Sequence, residues 1–382
     1  MLYGLLSNWM TVALAVVLTF VAALLFTPPV IRFAVSIGAI DMPGNRRINK
    51  TPIPRMGGIA IVTAFFLGVV LFVPITGKVK GVVIGSAMIA LMGAADDILN
   101  LKAWVKLVLQ IVAAVIAVHY GVVLDAVTGL SGQVLFVNNA LLASILTVLW
   151  IVACTNAVNL IDGLDGLACS ISAISACTMM IVSVMVSELN VTVMLACLFG
   201  ACIGFLPYNK NPAKIFMGDV GSQTLGFILA TVSTIGLFKM HAVVTFLVPM
   251  FALAVPLADT TFAIVRRLSK GQSPFKADKG HFHHRLLALG LSQRQVVGIL
   301  SGITLIMGLI SILMTGSSSV LKIICTVFVF LVALFIWISV TKKGNAEKKE
   351  AQTFSETEPD MKIYADKDKG KKKKKDAEVN EK

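Results

Sequence analysis

The chain has 382 residues, 57% of them hydrophobic and only 14% charged, with a formal net charge of +13 at pH 7. A soluble domain carries roughly 25% charged residues. Here the apolar residues come in unbroken runs, not in the period-2 or period-3.6 stripes of a water-facing surface, which excludes a soluble globular protein. Runs near 20 residues cross a ~30 Å hydrocarbon core as helices, the form in which lipid leaves no backbone N–H or C=O unpaired. The expectation is an all-α polytopic membrane protein of about eleven transmembrane helices.

The first run, Met10–Val30, follows no basic segment and reads as a retained helix, not a cleaved signal peptide. A connection with Arg46, Arg47, Lys50 and Arg55 leads to the second run, Gly57–Ile75, and Lys78 and Lys80 precede the third, Gly81–Ala95. The third run ends on Asp96 and Asp97. Negative charge is disfavoured at a helix C-terminus, so the pair points to a cation or a proton-transfer role and not to a solvated helix end. Lys102 and Lys106 follow at near-helical spacing and suit phosphate. Ala103–Tyr120 and Ala140–Ala157 are the fourth and fifth runs.

From the end of the fifth run to the start of the sixth, Gly166–Val186, come Asn156, Asn159, Asp162, Gly163, Leu164 and Asp165. Two Asn at i and i+3 share a helix face, and the Asp-Gly repeats allow a tight loop whose backbone approaches a ligand. The seventh run, Val191–Tyr208, leads through Asn209, Lys210 and Lys214 to Phe216-Met217-Gly218-Asp219. Asp219 stands just before the eighth run, Ser222–Phe238, either as an ordinary N-cap or as the holder of a metal and its anion. The ninth run, Val243–Val265, contains Pro256, which predicts a kink. The basic segment Arg266–Arg294 then carries His281, His283, His284 and Arg285. A His-rich tract can bind transition metals, but so much surrounding positive charge favours phosphate. Val296–Thr315 and Val320–Val340 complete the runs, giving a transmembrane body of residues 1–341 and a charged, Lys-rich, disordered tail, 342–382. All six cysteines lie in or beside apolar runs and read as small buried hydrophobes.

The odd-numbered connections hold most of the Lys and Arg, which puts them in the cytoplasm, the N-terminus outside and the tail inside. On that topology Asp96, Asp97, Asp162, Asp165, Asp219 and the three histidines all fall at cytoplasmic membrane ends. Carboxylates and amide oxygens suit Mg²⁺, and nearby Lys, Arg and His suit phosphates. The combination describes phosphoryl transfer between a water-soluble and a lipid substrate. A membrane transporter is the rival, with Asp259 as its one acid inside a run.

These motifs, from Ile53-Pro54-Arg55-Met56-Gly57-Gly58 through Asp96-Asp97, Asn156 to Asp165, Phe216 to Ser222 and the His-x-His-His segment, resemble those of the polyprenyl-phosphate N-acetylhexosamine-1-phosphate transferases. The resemblance runs from about Asp41 to Leu291. It departs mildly at Phe282, where Ile or Val is usual, and at Asn49, where near relatives carry His. The histidine segment looks like the branch that uses UDP-GlcNAc, including enzymes that start wall teichoic acid, more than the branch transferring phospho-MurNAc-pentapeptide.

The resemblance implies transfer of GlcNAc-1-phosphate from UDP-GlcNAc to undecaprenyl phosphate at the cytoplasmic face of a bacterial cell membrane. It implies Mg²⁺, with Mn²⁺ as a substitute, held by Asp219, Asn159 and Asp97. Asp96 and Asp97 would sit beside the lipid phosphate. Phe216, Asn209 and Gly163-Leu164-Asp165 would hold the uracil, and His281, His283, His284 and Arg285 the diphosphate and sugar. Lys106 and Arg55 join the substrate-binding set, and Asp162 supports without touching the metal. The expected partners are the two substrates, membrane lipid and a second copy in a homodimer, with no nucleic acid.

Overall fold

The computed structural model describes residues 8–43, 51–124, 126–128, 134–136, 139–236, 243–269, 271–272 and 281–315. The eleventh expected run, Val320–Val340, the tail, and Arg46, Arg47, Asn49 and Lys50 lie outside the described residues. The chain begins with helix α1 (Asn8–Ser36), a two-residue ribbon of β1 (Ile40–Asp41) and β2 (Ile53–Pro54), and helices α2 (Gly58–Phe72), α3 (Gly77–Leu99) and α4 (Ala103–His119). A small hairpin, β3 (Ala126–Thr128) and β4 (Val134–Phe136), precedes α5 (Ala140–Ile161), α6 (Leu167–Met185), α7 (Leu189–Asn209) and α8 (Gly218–Gly236). After these come α9 (Val243–Ala252), α10 (Ala254–Ser269), α11 (Phe282–Ala288) and α12 (Gln293–Thr315). Six helices, α1, α3, α5, α6, α7 and α12, are long and apolar enough to cross a membrane, and α2 and α4 are shorter apolar helices. The protein is therefore a multi-pass membrane protein.

The helix ends differ from the sequence reading in ways that matter to the site. Helix α3 does not stop before Asp96 and Asp97 but carries both to Leu99, ending at Asn100 in the left-handed conformation, φ 51°. Asn tolerates that conformation better than most residues. Helix α5 likewise extends through Asn156 and Asn159, and Asp219 is the second residue of α8 and not its predecessor. The run that contains Pro256 breaks into α9 and α10. Proline has no N–H for the carbonyl four residues earlier, here Ala252, and Ser175 Oγ of α6 donates to that oxygen at 2.5 Å instead.

Lipid offers no hydrophobic drive between helices, so close approach of small residues carries the packing. Gly200 and Gly204 of α7 meet the α1 backbone at Val16 and Phe20 with no room for a Cβ. Gly58 of α2 and Gly93 of α3 press in the same way on α8, at Gly221 and Val220. Helix α8 is buried at every residue from Val220 to Gly236. Its hydroxyls bond back to their own helix: Thr224 to Val220 O at 2.6 Å, Thr231 to Phe227 O at 2.8 Å and Thr234 to Ala230 O at 2.8 Å. Polar atoms can thus be buried without a partner from a neighbouring helix. The outward faces are apolar, as on α1, where Val17, Val21 and Leu25 are exposed one turn apart.

Candidate active site

The adjacent carboxylates at the end of α3 point to different partners, as a helix turns about 100° per residue. Asp96 accepts from Leu101 N at 2.6 Å and from Lys106 Nζ at 2.8 Å. Asp97 accepts from the backbone N–H groups of Asp219 and Val220, at 3.0 and 3.2 Å. The first N–H groups of a helix have no intrahelical acceptor and carry partial positive charge, so α8 offsets the charge that the end of α3 disfavours. Gly218 has φ 71°, and a Cβ there would collide with the Asp97 carboxylate, which explains glycine at that position.

Lys106 Nζ also donates to Asp219 Oδ2 at 2.9 Å and so bridges Asp96 and Asp219. Asp219 takes two further bonds, from Asn159 Nδ2 to Oδ1 at 3.1 Å and from Gln223 Nε2 to Oδ2 at 2.8 Å. Gln110 donates to Gln223 Oε1 at 2.8 Å, and Asn156 donates to Gln110 Oε1 at 2.6 Å. This buried chain of amides from α4, α5 and α8 fixes the Asp219 carboxylate. Gln110 and Gln223 had no place in the sequence reading. Two isolated glutamines in apolar runs were the available signal, since buried amides require partners.

Asp219 and Asp97 form part of the wall of a cavity of about 400 Å³. Asn159, Asp162, Gly163, Leu164 and Asp165 line another part, Asn209, Phe216 and Gln293 a third, and His283 and His284 close it. Asp41 and Arg55 enter from the β1–β2 ribbon and pair with each other, Arg55 Nε lying 2.8 Å from Asp41 Oδ1. Lys106 and Asp96 reach the wall through Asp219, and His281 by stacking on His283, with centroids 5.9 Å apart and planes at 6°. Arg285 is exposed on α11. Every expected site residue except Arg285 thus lies on the cavity wall or touches a wall residue. Asp41 and Gln293 are additions to the set, Gln293 from the end of α12, beyond the stretch of motifs.

The loop side of the cavity is built on fixed polar groups. Asp165 Oδ2 accepts from Asn211 Nδ2 at 2.9 Å and from Ala213 N at 3.1 Å, and Asn211 also donates to Gln293 Oε1 at 2.9 Å. Asn209 is 2% exposed and donates to Ile215 O at 3.0 Å, while its own side-chain oxygen has no partner among the described residues and is left as an acceptor. His283 packs its ring on Gly163, where a Cβ would collide with it. Burial, and then the neighbouring His284, push the His283 imidazole down to about 4. It is therefore neutral near pH 7, and its buried Nδ1 has no hydrogen-bond partner among the described residues.

Among the described residues the cavity wall is short of positive charge: five acidic side chains line it, those of Asp41, Asp97, Asp162, Asp165 and Asp219, against one guanidinium, that of Arg55. Burial first, and then the charges of Asp219, Asp97 and Asp165, push the Asp162 carboxyl up to about 8. Asp162 is then mostly protonated near pH 7, and the ionised carboxylates beside it repel a phosphate unless a cation joins them. Among the described residues no three His, Cys, Asp or Glu groups converge into a closed metal cage. That donor set fits Mg²⁺, which is usually held by one or two carboxylates together with substrate phosphates. Asp219 and Asp97 are the residues that would hold it. Asn159 faces Asp219 with its amide nitrogen and orients that carboxylate.

Residues 79–237 match the sequence model of glycosyl transferase family 4. A protein of Bacillus subtilis (strain 168) named "Probable undecaprenyl-phosphate N-acetylglucosaminyl 1-phosphate transferase" is 36% identical over 352 residues, 90% of this chain and 96% of that one. The "Decaprenyl-phosphate N-acetylglucosaminephosphotransferase" of Mycobacterium tuberculosis (strain ATCC 25618 / H37Rv) is 38% identical over 304 residues, 72% of this chain and 75% of that one. The "Phospho-N-acetylmuramoyl-pentapeptide-transferase" of Staphylococcus aureus (strain MW2) is 32% identical over 316 residues, 78% of this chain and 96% of that one. With a near full-length match of this kind and a carboxylate cavity at the helix ends, the chain belongs to glycosyl transferase family 4, the membrane family of polyprenyl-phosphate N-acetylhexosamine-1-phosphate transferases.

Proposed function

We propose that this protein transfers GlcNAc-1-phosphate from UDP-GlcNAc to undecaprenyl phosphate at the cytoplasmic face of the membrane, giving undecaprenyl-diphospho-GlcNAc and UMP as the first membrane step of a cell-envelope polymer such as wall teichoic acid. The observation that carries this reading is the 36% identity over 96% of the Bacillus subtilis relative. The cavity supports it chemically. It stands at the ends of apolar helices, where a soluble nucleotide and a lipid phosphate can meet, and it joins an excess of carboxylates to Lys106.

Phosphoryl transfer asks the protein mainly for positioning and charge neutralisation. A lipid phosphomonoester, with its second pKa near 6, is largely dianionic at neutral pH and needs no strong base. Asp96, tied to Lys106, is suited to hold that lysine towards the incoming phosphate and not to take a proton. Asp97 has both oxygens engaged by α8 amides, which favours direct displacement over an aspartyl-phosphate intermediate. A divalent cation held by Asp219 and Asp97 would offset charge on the diphosphate and on the departing UMP. The partnerless oxygen of Asn209 suits an N–H of the base, with Phe216 and Leu164 as apolar walls. His283 and His284 face the sugar diphosphate.

The deciding assay supplies purified protein with polyprenyl phosphate, Mg²⁺ and one of UDP-GlcNAc, UDP-GalNAc or UDP-MurNAc-pentapeptide, and measures UMP release. Release with UDP-GlcNAc alone is expected. Release only with the pentapeptide substrate would transfer the assignment to the activity named for the Staphylococcus aureus relative. Release with none would sink the reading. Labelled UMP should not exchange into UDP-GlcNAc in the absence of lipid, and exchange would favour the covalent route.

A further inference from the structure

We propose that Asp259, a buried carboxylate of α10 that does not line the cavity, is the positioning residue that locks the histidine segment against it. Asp259 is 2% exposed and both of its oxygens are engaged. Its Oδ2 lies 2.8 Å from His281 Nδ1, and its Oδ1 accepts from Phe282 N at 2.7 Å. One turn further along α10, the ring of Phe262 packs against Phe282 with centroids 5.8 Å apart. One face of α10 therefore meets two successive residues, His281 and Phe282, at the start of α11.

The contact passes from there to the cavity. The His281 ring stacks on His283, and the His283 ring fills the space above Gly163. Helix α11 has seven residues, too few to hold itself as a helix, so an outside anchor must set its position. A carboxylate oxygen accepts, so the bond to Asp259 places a ring proton of His281 on Nδ1. That fixes the orientation of the ring on which His283 lies. The same two bonds explain an acid inside an apolar run without any transport role.

The proposal rests on the cavity being the place where the sugar nucleotide reacts, so its test includes a readout that does not depend on turnover. In Asp259→Ala, amide exchange at residues 282–289 should accelerate while the rest of the protein keeps its protection, and kcat with UDP-GlcNAc should fall by about 10–100-fold, the range typical of partners that orient a site residue. Unchanged exchange in that segment, or an unchanged kcat, overturns the proposal. If wild-type protein proves inert with UDP-GlcNAc, the functional reading fails and the exchange arm still decides this one. If Asp259→Ala loses protection everywhere, Asp259→Asn decides. Its oxygen can still accept from Phe282 N, but its amide now donates to His281, so ¹⁵N spectra of labelled histidine should show Nδ1 of the His281 ring losing its proton. His281 ring shifts identical to wild type overturn the proposal.

Discussion

At Asp219 three helices spend their polar groups on one carboxylate: Lys106 from α4, Asn159 from α5 and Gln223 from α8 itself. Asp219→Asn should reduce transfer by more than the roughly 10–100-fold typical of a residue that merely orients a metal ligand. It should also abolish stabilisation by Mg²⁺. In wild type that stabilisation should reach about 2.7 kcal/mol at a hundred times the dissociation constant, read as a rise in Tm in detergent. An equal rise in the variant would remove Asp219 from the metal site. Asp162 offers a test with a defined sign. Its carboxyl ionises near 3.8 when exposed and is held up to about 8 in the fold, so the folded state binds the proton more tightly. Its contribution is full below pH 3.8 and is lost as the pH rises towards 8. Without divalent cations, Tm should fall between pH 5 and 8, and Asp162→Asn should flatten that fall. Parallel slopes would show that Asp162 ionises freely. The sequence made these carboxylates legible because acids are scarce in the membrane body. Asp41 escaped because it stands apart from the clusters, and its role depends on a ribbon that pairs it with Arg55.

Helix by helix, the described apolar runs were readable, the ninth breaking into α9 and α10, and their ends were not. Hydropathy falls at a charged residue whether or not the helix does, so Asp96, Asp97 and Asp219 were placed outside helices that contain them. Only the bonds those carboxylates make show that the helix continues. The segment from His281 to Arg285 reads as a loop because seven residues carry no period, and α10 supplies what fixes it. Glycines show the difference between composition and contact. Gly58 and Gly298 look alike in sequence, yet a Cβ on Gly58 would strike the backbone of Gly221, whereas a Cβ on Gly298 meets nothing within 4 Å. Gly58→Ala should cost about 1–3 kcal/mol of stability as overpacking. It should also lower kcat, because Gly57 and Gly58 donate to the backbone of Phe216 and Met217, at 2.9 and 2.8 Å, just before Asp219. Gly298→Ala, inside α12, should be neutral or stabilising by about 0.5–1 kcal/mol. Thermal unfolding of both variants separates the two cases, and equal effects would mean that α2 and α8 do not approach so closely.

For the whole molecule, the cavity is assembled from helix ends that share one end of the bundle. Asp97, Asp162 and Asn209 come from the C-terminal ends of α3, α5 and α7, and Asp219 and Gln293 from the N-terminal ends of α8 and α12. Neighbouring connections must then lie at opposite ends, as the basic residues already suggest. Arg55, Lys102, Lys210 and Lys214 gather near the cavity, while Lys78 and Lys80 stand at the start of α3, the far end of that helix from Asp96 and Asp97. The positive-inside bias predicts that the cavity end faces the cytoplasm, as the proposed function requires. Five helices, α3 to α7, lie between Lys80 and Lys214, and if each crosses the membrane the two residues stand on opposite sides. Both are exposed, and the described cysteines are buried or half-buried, so background labelling should be low once Cys325 is replaced. A membrane-impermeant maleimide on intact cells should label Lys80→Cys at once, and Lys214→Cys only after permeabilisation. The reverse pattern would turn the protein over and put its nucleotide site outside the cell. Labelling of both from one side would mean that one of the five helices, α4 being the shortest at 17 residues, does not cross.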